Sequence, residues 1–427
     1  MGSVNDLLQE TALPSGVWVE QHFPGDRLEH APSALKEKFL ASDIRSLIHP
    51  GMRIAVTAGS RGLSDYAPIL RGLVQLLLEC GAKPFIIPAM GSHGEATAEG
   101  QRKLLEGYGI TEETMGIPIL SSMEVVQAGV TETNEPVWID RNAWEADGIV
   151  LFNRIKPHTG FRGEYESGLI KMAAIGLGKQ KGAETVHSGG PAKMSERVRM
   201  FGIRAIQLSK VLFGVATIEN AYDQVCDIGV WNVPEILEQE PLFLKRAKSM
   251  MPRIFFEHLD VLVVDRIGKN ISGPGMDPNI THTYLPGALI DPELRAKRAE
   301  RVVVLDLTEE SHGAAMGIGM ADVTTQRFFR KMDRDATYPN CLTGGVTVSA
   351  KIPMFFDNDR LAIQAAVKTL TGPEKHGIRM VRIQDTLHLG KIWISEALRE
   401  EAETHPDVTI LSNVEPVAFQ ADGNLFV

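Results

Sequence analysis

Short apolar strands alternate with helical stretches along this chain, and that alternation constrains its fold more than any other feature. Apolar strands are predicted at residues 53–59, 83–89, 147–153, 211–220, 259–264 and 301–308, and helical patterns separate several of them. Residues 149–152 are continuously apolar, which is typical of a strand covered on both faces of its sheet. Alternation at this spacing predicts βαβ units and an α/β fold with mostly parallel sheets.

The length of 427 residues indicates two domains, and one charged, proline-bearing segment near 233–260 has the pattern of a bridge between them. We predict an N-terminal α/β domain over 1–250, a C-terminal α/β domain over 256–405 and a tail over 406–427. The tail has the pattern of strand and turn, and our interpretation is that it packs back on the first domain.

Composition excludes several classes of protein. The net charge is −10 and no basic run occurs, so nucleic acid is not an expected partner. The cysteines, Cys80, Cys226 and Cys341, form no CxxC pair, which argues against a disulfide framework, a zinc ribbon or an iron–sulfur cluster. No apolar run approaches the ~18 residues of a membrane span, and signal-peptide features are missing. We therefore expect a soluble protein in a reducing cytoplasm.

Loops that follow the predicted strands carry cations and histidines among small or turn-forming residues. Ligands of open α/β sheets bind beyond the carboxyl ends of the strands, so these loops are the place to look for a site. The polar residues in these four loops are, in chain order, Arg61, His93, Arg154, Lys156, His158, Lys269 and Asn270. Four such loops at strand ends predict a common binding site, although each residue alone also has an ordinary interpretation.

A lysine within an apolar stretch is the most unusual feature of the chain. Lys171 lies in ESGLIKMAAIGLGKQKGAETVH, sixteen positions before His187. An unpaired buried ammonium is costly, so one interpretation is that Lys171 pairs with Glu164 or Glu166, or extends its amine to water. The other is a nucleophilic or covalently modified lysine, since an apolar setting favours the neutral amine. The residues alone leave both open.

The neighbouring candidates also have ordinary structural roles open to them. Arg61 could pair with Asp65, His93 could be a surface-loop residue, and His187 could belong to an ordinary helix end. The glycine-rich GLGKQKGA matches neither the dinucleotide-binding nor the P-loop pattern, and indicates only backbone N–H groups near an anion.

Taken in order, the motifs SRG, GSHG, KPHTGF, ESGLIKMAAIGLGKQKGA and the histidine downstream resemble the nickel-dependent lactate racemase family. The likeness covers most of the chain and is strongest over about 53–190. It implies two α/β domains with the active site in the cleft between them. It also implies a nickel-pincer nucleotide, pyridinium-3-thioamide-5-thiocarboxylic acid mononucleotide, whose ring binds nickel and is joined to a lysine as a thioamide. By position, Lys171 matches that lysine, and His187 matches the histidine that binds nickel.

The resemblance further implies that the chain is an isomerase, a racemase or epimerase of a 2-hydroxy acid that works by proton-coupled hydride transfer. His93 and His158 match the two catalytic histidines, one acting as base and the other as acid on opposite faces of the substrate. Histidine suits both tasks because it titrates near neutral pH. Arg61 and Lys269 match cations that bind the substrate. Cofactor-synthesis proteins are implied partners, and a homo-oligomer is left open.

The sequence departs from the family pattern in two stretches near the predicted site, and these departures bear on which substrate is expected. The first loop reads AGSRG, without the acidic and threonine residues expected before the arginine, and the stretch from His158 to Lys171 is longer. A 2-hydroxy acid other than lactate is therefore expected at least as readily as lactate. Two alternatives are a zinc hydrolase with His93, His158 and His187 as ligands, and a non-catalytic binding protein of the same fold.

Overall fold

The computed structural model of the chain describes residues 4–372 and 377–426, which divide between two compact units. The 24–251 unit comprises Pro24–Met251. The other, here called the composite unit, joins the N-terminal segment as far as Phe23 to the chain from Pro252 onward. Among the helices in these two ranges, none is long and apolar enough to cross a membrane.

Strands and helices alternate through both units. The strands are β1 Ser15–Gln21, β2 Arg53–Ala58, β3 Lys83–Pro88, β4 Val125–Val130, β5 Pro136–Asp140, β6 Gly148–Arg154, β7 Val211–Glu219, β8 Val225–Asn232, β9 Val261–Ile267, β10 Arg301–Leu307, β11 Val323–Thr325, β12 Met354–Phe356, β13 Met380–Ile383, β14 Lys391–Ser395, β15 Val408–Ile410 and β16 Glu415–Pro416. The α-helices are α1 Ala31–Ala41, α2 Tyr66–Glu79, α3 Ala98–Gly107, α4 Glu112–Met115, α5 Arg141–Glu145, α6 Leu169–Lys171, α7 Lys179–His187, α8 Met194–Leu208, α9 Val233–Met250, α10 Pro278–Thr281, α11 Pro292–Ala296, α12 Gln326–Lys331, α13 Arg334–Thr343, α14 Asp359–Lys368 and α15 Arg399–Thr404. A π-helical turn, Met172–Gly176, separates α6 from α7.

The larger sheet of the 24–251 unit has the strand order β3-β2-β6-β7-β8, in which only β8 runs antiparallel to its neighbour, and β4 and β5 form a separate antiparallel pair. The packing of β6 shows why the parallel strands of this sheet are apolar along their whole length. Ile149 and Leu151 pack into one hydrophobic cluster, whereas Val150 and Phe152 pack into another. Alternate side chains of a strand point to opposite faces, so this sheet is covered on both. The predicted α/β fold with mostly parallel sheets is confirmed.

The composite unit contains a second sheet, in which β12-β11-β10-β9-β13 are parallel and β14, β1 and β15 continue antiparallel. Strand β1 lies between β14 and β15, with Val19 paired to both Ile392 and Ile410. Strand β16 also pairs with β1.

This sheet corrects the predicted domain boundaries. Residues up to Phe23 belong to the composite unit, not to a domain over 1–250, because β1 is hydrogen-bonded into its sheet. The tail over 406–427, predicted to pack back on the first domain, is likewise corrected, because its strands β15 and β16 pair with β1 of the composite unit. The division itself falls between Met251 and Pro252.

The packing of β1 yields a first prediction, for Gly16→Ala. A Cβ atom at Gly16 would lie 2.1 Å from the Ile394 carbonyl oxygen and 2.3 Å from the Trp393 ring, so the strand must shift to admit it. Overpacking of this kind costs about 1–3 kcal/mol, which should destabilise the composite unit in chemical denaturation. The control is Gly25→Ala, where an added Cβ meets nothing within 4 Å. Equal stability of the two variants would contradict the placement of β1.

Candidate active site

The carboxyl edge of the sheet in the 24–251 unit carries most of the predicted site. Arg61, His93 and His158 follow β2, β3 and β6, and the segment from α6 to α7 carries Lys171 and His187. The Ser60 hydroxyl is hydrogen-bonded to the His93 ring, which links the first two loops. The remaining residues are close enough for their charges to act on one another: Arg61 on Lys171, and Lys171 on both His158 and His187.

Lys171 is half-buried, and its amine makes neither a hydrogen bond nor an ion pair with any residue that the structure describes. Burial, with repulsion from Lys156 and Arg61, lowers the pKa of Lys171 to about 7, although Glu166 opposes the shift. A large fraction of the amine is therefore neutral at physiological pH, and a neutral amine is nucleophilic.

The ion pairs considered for Lys171 are not formed. Glu164 pairs with Arg199 at 3.2 Å. Glu166 is buried and pairs with Lys248 at 2.7 Å, while it also accepts the His158 backbone N–H at 2.7 Å. Pairing of Lys171 with either glutamate is thus wrong, and Glu166 instead anchors the loop that carries His158.

The segment that carries Lys171 is shaped by a π-helical turn and by a buried carboxyl group. The Leu177 N–H donates to the Met172 carbonyl at 2.9 Å, closing the wider turn that often marks functional sites. Glu240 of α9, which is 1% exposed, accepts the N–H groups of Leu169 and Ile170 at 3.0 and 3.1 Å. Burial raises the pKa of Glu240 to about 8.

His158 is held as a neutral imidazole. Its Nδ1 accepts the Gly160 N–H at 3.0 Å, and its ring stacks on Phe161 with centroids 4.1 Å apart. Burial and repulsion from Lys171 and Lys156 lower the pKa of His158 well below its ordinary value. Because Nδ1 is an acceptor, the ring carries its proton on Nε2 and can donate it to a bound oxygen atom.

His187 has the orientation of a metal ligand. Its ring Nδ1 lies 2.6 Å from the Ala183 carbonyl oxygen, so Nδ1 is the protonated donor and Nε2 keeps a free lone pair. Metal-binding histidines commonly have their second nitrogen fixed in this way. Burial and the nearby Lys171 charge lower the pKa of His187, despite the opposing hydrogen bond to Ala183. The imidazole is therefore neutral, as ligation requires.

The described part of the chain contains no group of three or more His, Cys, Asp or Glu side chains that could hold a metal ion. A zinc site built from His93, His158 and His187 is therefore wrong, because these rings do not converge on one point. A metal bound by His187 would need most of its ligands from elsewhere.

Arg61 makes no hydrogen bond or ion pair among the described residues, and the considered pair with Asp65 is not formed. Its loop is fixed from behind by Glu219, which accepts the Ser64 N–H at 2.6 Å and pairs with Arg154. Glu219 thus engages the neighbouring arginine, and the Arg61 guanidinium is left for an anionic ligand.

Lys269 belongs to the composite unit, where it follows β9. Its backbone N–H donates to the Ser311 hydroxyl at 2.8 Å, and the Thr308 hydroxyl donates to the Asn270 side-chain oxygen at 2.7 Å. The end of β9 is thereby tied to the end of β10. The role of Lys269 in substrate binding stays a prediction.

Several residues with a part in the site were missed at the level of sequence. Glu219 and Glu240 lie in a strand end and in the predicted bridge, and Lys179 lies within the glycine-rich run. Each acts through burial and through contacts with residues distant in the chain. Only the charge of Lys179, which directly follows the small and apolar run AAIGLG, could have been noticed beforehand.

Comparison with known proteins finds a family model that matches part of the chain. The family model Lar_N, the lactate racemase N-terminal domain, matches residues 20–197. No match was found among curated proteins. Among solved structures, a Thermotoga maritima protein is 14% identical with a TM-score of 0.52, over 86% of this chain and 99% of that one, which shows a shared fold. The lactate racemase apoprotein from Thermoanaerobacterium thermosaccharolyticum is 12% identical with a TM-score of 0.49, over 80% and 88%.

The lowered pKa of Lys171 predicts unusual reactivity. In protein whose Lys171 amine is unmodified, an amine-acylating reagent should react with Lys171 with a half-maximal rate near pH 7, whereas ordinary lysine amines titrate near 10. Peptide mass spectrometry across a pH series measures this, with Lys103, 69% exposed at its side chain, as the reference. Identical pH curves for the two lysines would contradict the prediction.

Glu240→Gln tests the buried carboxyl group. Because the folded-state pKa is raised to about 8, folding favours the protonated acid, and unfolding releases a proton between the ordinary carboxyl pKa and pH 8. The wild-type free energy of unfolding should therefore fall with rising pH, relative to the variant, by at most about 1.4 kcal/mol per pH unit. Chemical denaturation at pH 5, 6, 7 and 8 measures the difference. Parallel pH profiles would show that Glu240 is ionised in the folded protein.

Proposed function

This chain is a lactate racemase-family homologue, and on that premise we propose that it is a racemase or epimerase of a 2-hydroxy acid. We further propose that it works with a nickel-pincer nucleotide tethered at Lys171. The observation that carries the proposal is the Lys171 amine, which is half-buried, without a partner among the described residues and of lowered pKa. An amine in that state is suited to form a covalent bond to a cofactor.

The residues around Lys171 fit such a group. Lys171 would carry it, and the Nε2 atom of His187 would bind its nickel, since Nδ1 is engaged by the Ala183 carbonyl. A cofactor that supplies most of the metal ligands itself explains why the described residues need contribute so few. Arg61, with its free guanidinium, suits a phosphate or carboxylate. When bound, the nickel-pincer nucleotide supplies the hydride acceptor and donor.

The protein's part in the chemistry is proton transfer and orientation. We assign His93 and His158 as the acid–base pair: one accepts the hydroxyl proton of the substrate as the C2 hydrogen departs, and the other returns a proton on the opposite face. The neutral His158, with its proton on Nε2, is suited to the donor role in one direction. Arg61 and Lys269 are the candidates to bind the substrate carboxylate.

Substrate, location and partners follow from the same proposal. The departures in the loop of Arg61 and in the stretch from His158 to Lys171 lead us to expect a 2-hydroxy acid that need not be lactate. We place the protein in a reducing cytoplasm, where its cysteines stay thiols. Cofactor-synthesis proteins are the partners that the proposal requires, since they would supply the nucleotide.

Intact-mass spectrometry tests the tether. Protein produced together with the cofactor-synthesis proteins should show a mass adduct that is lost in Lys171→Ala and kept in the control variant Lys103→Ala. Protein produced without them should be unmodified. An unmodified mass for wild-type protein, in cells where a known family member is loaded, would refute attachment at Lys171.

Turnover tests the reaction. Loaded wild-type protein should abolish the optical rotation of at least one 2-hydroxy acid in a panel, and His93→Ala and His158→Ala should each lower kcat about 10²- to 10⁴-fold. Both variants should keep the mass adduct, since neither changes Lys171. A loaded protein without turnover on any member of the panel would instead favour the non-catalytic binding protein.

A further inference from the structure

We infer that Lys179 is a positioning residue, whose buried side chain sets the backbone of the His93 loop relative to the segment that joins Lys171 to His187. The expected effect of Lys179 on catalysis rests on the proposed function. Lys179 lies midway in sequence between Lys171 and His187, at the start of α7. It is 0% exposed, although a lysine is seldom fully buried.

The Lys179 ammonium is shared among three separate elements. It donates to the Pro88 carbonyl at the end of β3, to the Gln101 side-chain oxygen of α3 at 3.2 Å, and it pairs with Asp140 at the end of β5 at 3.1 Å. Burial of a charge is costly unless partners compensate it, so this arrangement is stable only when all three elements are in place.

Gln101 passes this restraint to His93. Its side-chain oxygen faces Lys179, so its amide nitrogen is directed to the other side. That nitrogen donates to the Gly91 carbonyl at 3.0 Å and to the His93 carbonyl at 3.1 Å. Gln101 is itself 0% exposed, and water cannot replace these contacts. The backbone at His93 is therefore held by a chain of hydrogen bonds that begins at Lys179.

Asp140 connects the same lysine to the Lys171 segment. The Asp140 backbone N–H donates to the Leu177 carbonyl at 2.7 Å, two residues before Lys179, while its side chain also accepts the Ala143 N–H at 3.0 Å. Asp140 therefore contacts the junction between the π-helical turn and α7 in two ways: its backbone N–H binds Leu177, and its carboxylate pairs with Lys179.

The backbone of Lys179 is strained, which argues against an incidental ion pair. Its φ is 52°, in the left-handed region that residues with a Cβ seldom adopt. Strain of this kind persists where the surroundings determine it, and it concentrates at functional sites. A buried charge and a strained backbone both oppose stability, so their coincidence between two site residues favours a role in geometry.

Two variants separate positioning from folding. Lys179→Met combined with Asp140→Asn removes the ion pair without leaving an unpaired buried carboxylate. Gln101→Glu keeps an acceptor for Lys179 but replaces the N–H donors to the Gly91 and His93 carbonyls with a carboxylate oxygen, so it breaks the final link and leaves the Lys179–Asp140 pair in place. Lys103→Met is the matched surface control.

The first readout needs no turnover. In protein made without cofactor, the rate and pH profile of His93 acylation by a histidine-selective reagent, followed by peptide mass spectrometry, should change in both variants. They should not change for the exposed His49 or in Lys103→Met. A purely structural role would lower the melting temperature and leave the His93 profile unaltered. If the double variant fails to fold, Gln101→Glu decides alone.

The second readout uses loaded protein and whichever 2-hydroxy acid the wild type turns over. Both variants should lose roughly 10- to 100-fold in kcat, with KM nearly unchanged and a shifted pH profile. Unaltered His93 acylation together with wild-type kcat would overturn the inference. A changed His93 profile in a chain whose wild type carries no adduct and no activity would leave the positioning role standing and refute the proposed function instead.

Discussion

The geometry of the 24–251 unit depends on hydrogen bonds from the amides of Leu169 and Ile170 to the buried carboxyl group of Glu240. They fix where the helical segment begins, at Leu169, two residues before Lys171. The close approach also accounts for Gly168, because a Cβ atom there would lie 2.1 Å from the other carboxyl oxygen. The position of Lys171 is therefore set by backbone contacts of the residues before it, and its amine makes no hydrogen bond or ion pair within the described part of the chain.

The other buried carboxylates act in the same way. Glu219 engages Arg154 and the Ser64 amide, and Glu166 engages Lys248 and the His158 amide. The acidic groups near the site are thus occupied, although the chain as a whole carries a net charge of −10. Arg61 keeps an unneutralised positive charge, which helps to lower the pKa of Lys171 and favours an anionic ligand. Neutral imidazoles and a neutral amine are the forms that proton transfer, metal ligation and covalent attachment require.

Much of the fold was predictable because the parallel strands of the 24–251 unit are buried on both faces. A continuous apolar run such as that of β6 is typical of a strand in that environment. The wrong boundary had a different cause. Strand β1 pairs with β14, although the two strands lie near opposite ends of the sequence. No local sequence pattern indicates which strand an apolar strand will pair with. The segment around Lys171 was recognisable as helical, but a π-helical turn adds one residue to a turn without changing the composition.

The sequence by itself determined which residue types stand at the carboxyl ends of the strands and how far apart they lie. Those choices are local, since strands, turns and helix periods depend on neighbouring residues. Only the tertiary structure decided that Glu164 and Glu166 pair elsewhere, that the three histidines do not converge on one metal, and that Lys179 is buried among three elements. Charge pairing and burial depend on contacts between distant parts of the chain, so the freedom of the Lys171 amine could be seen only after folding.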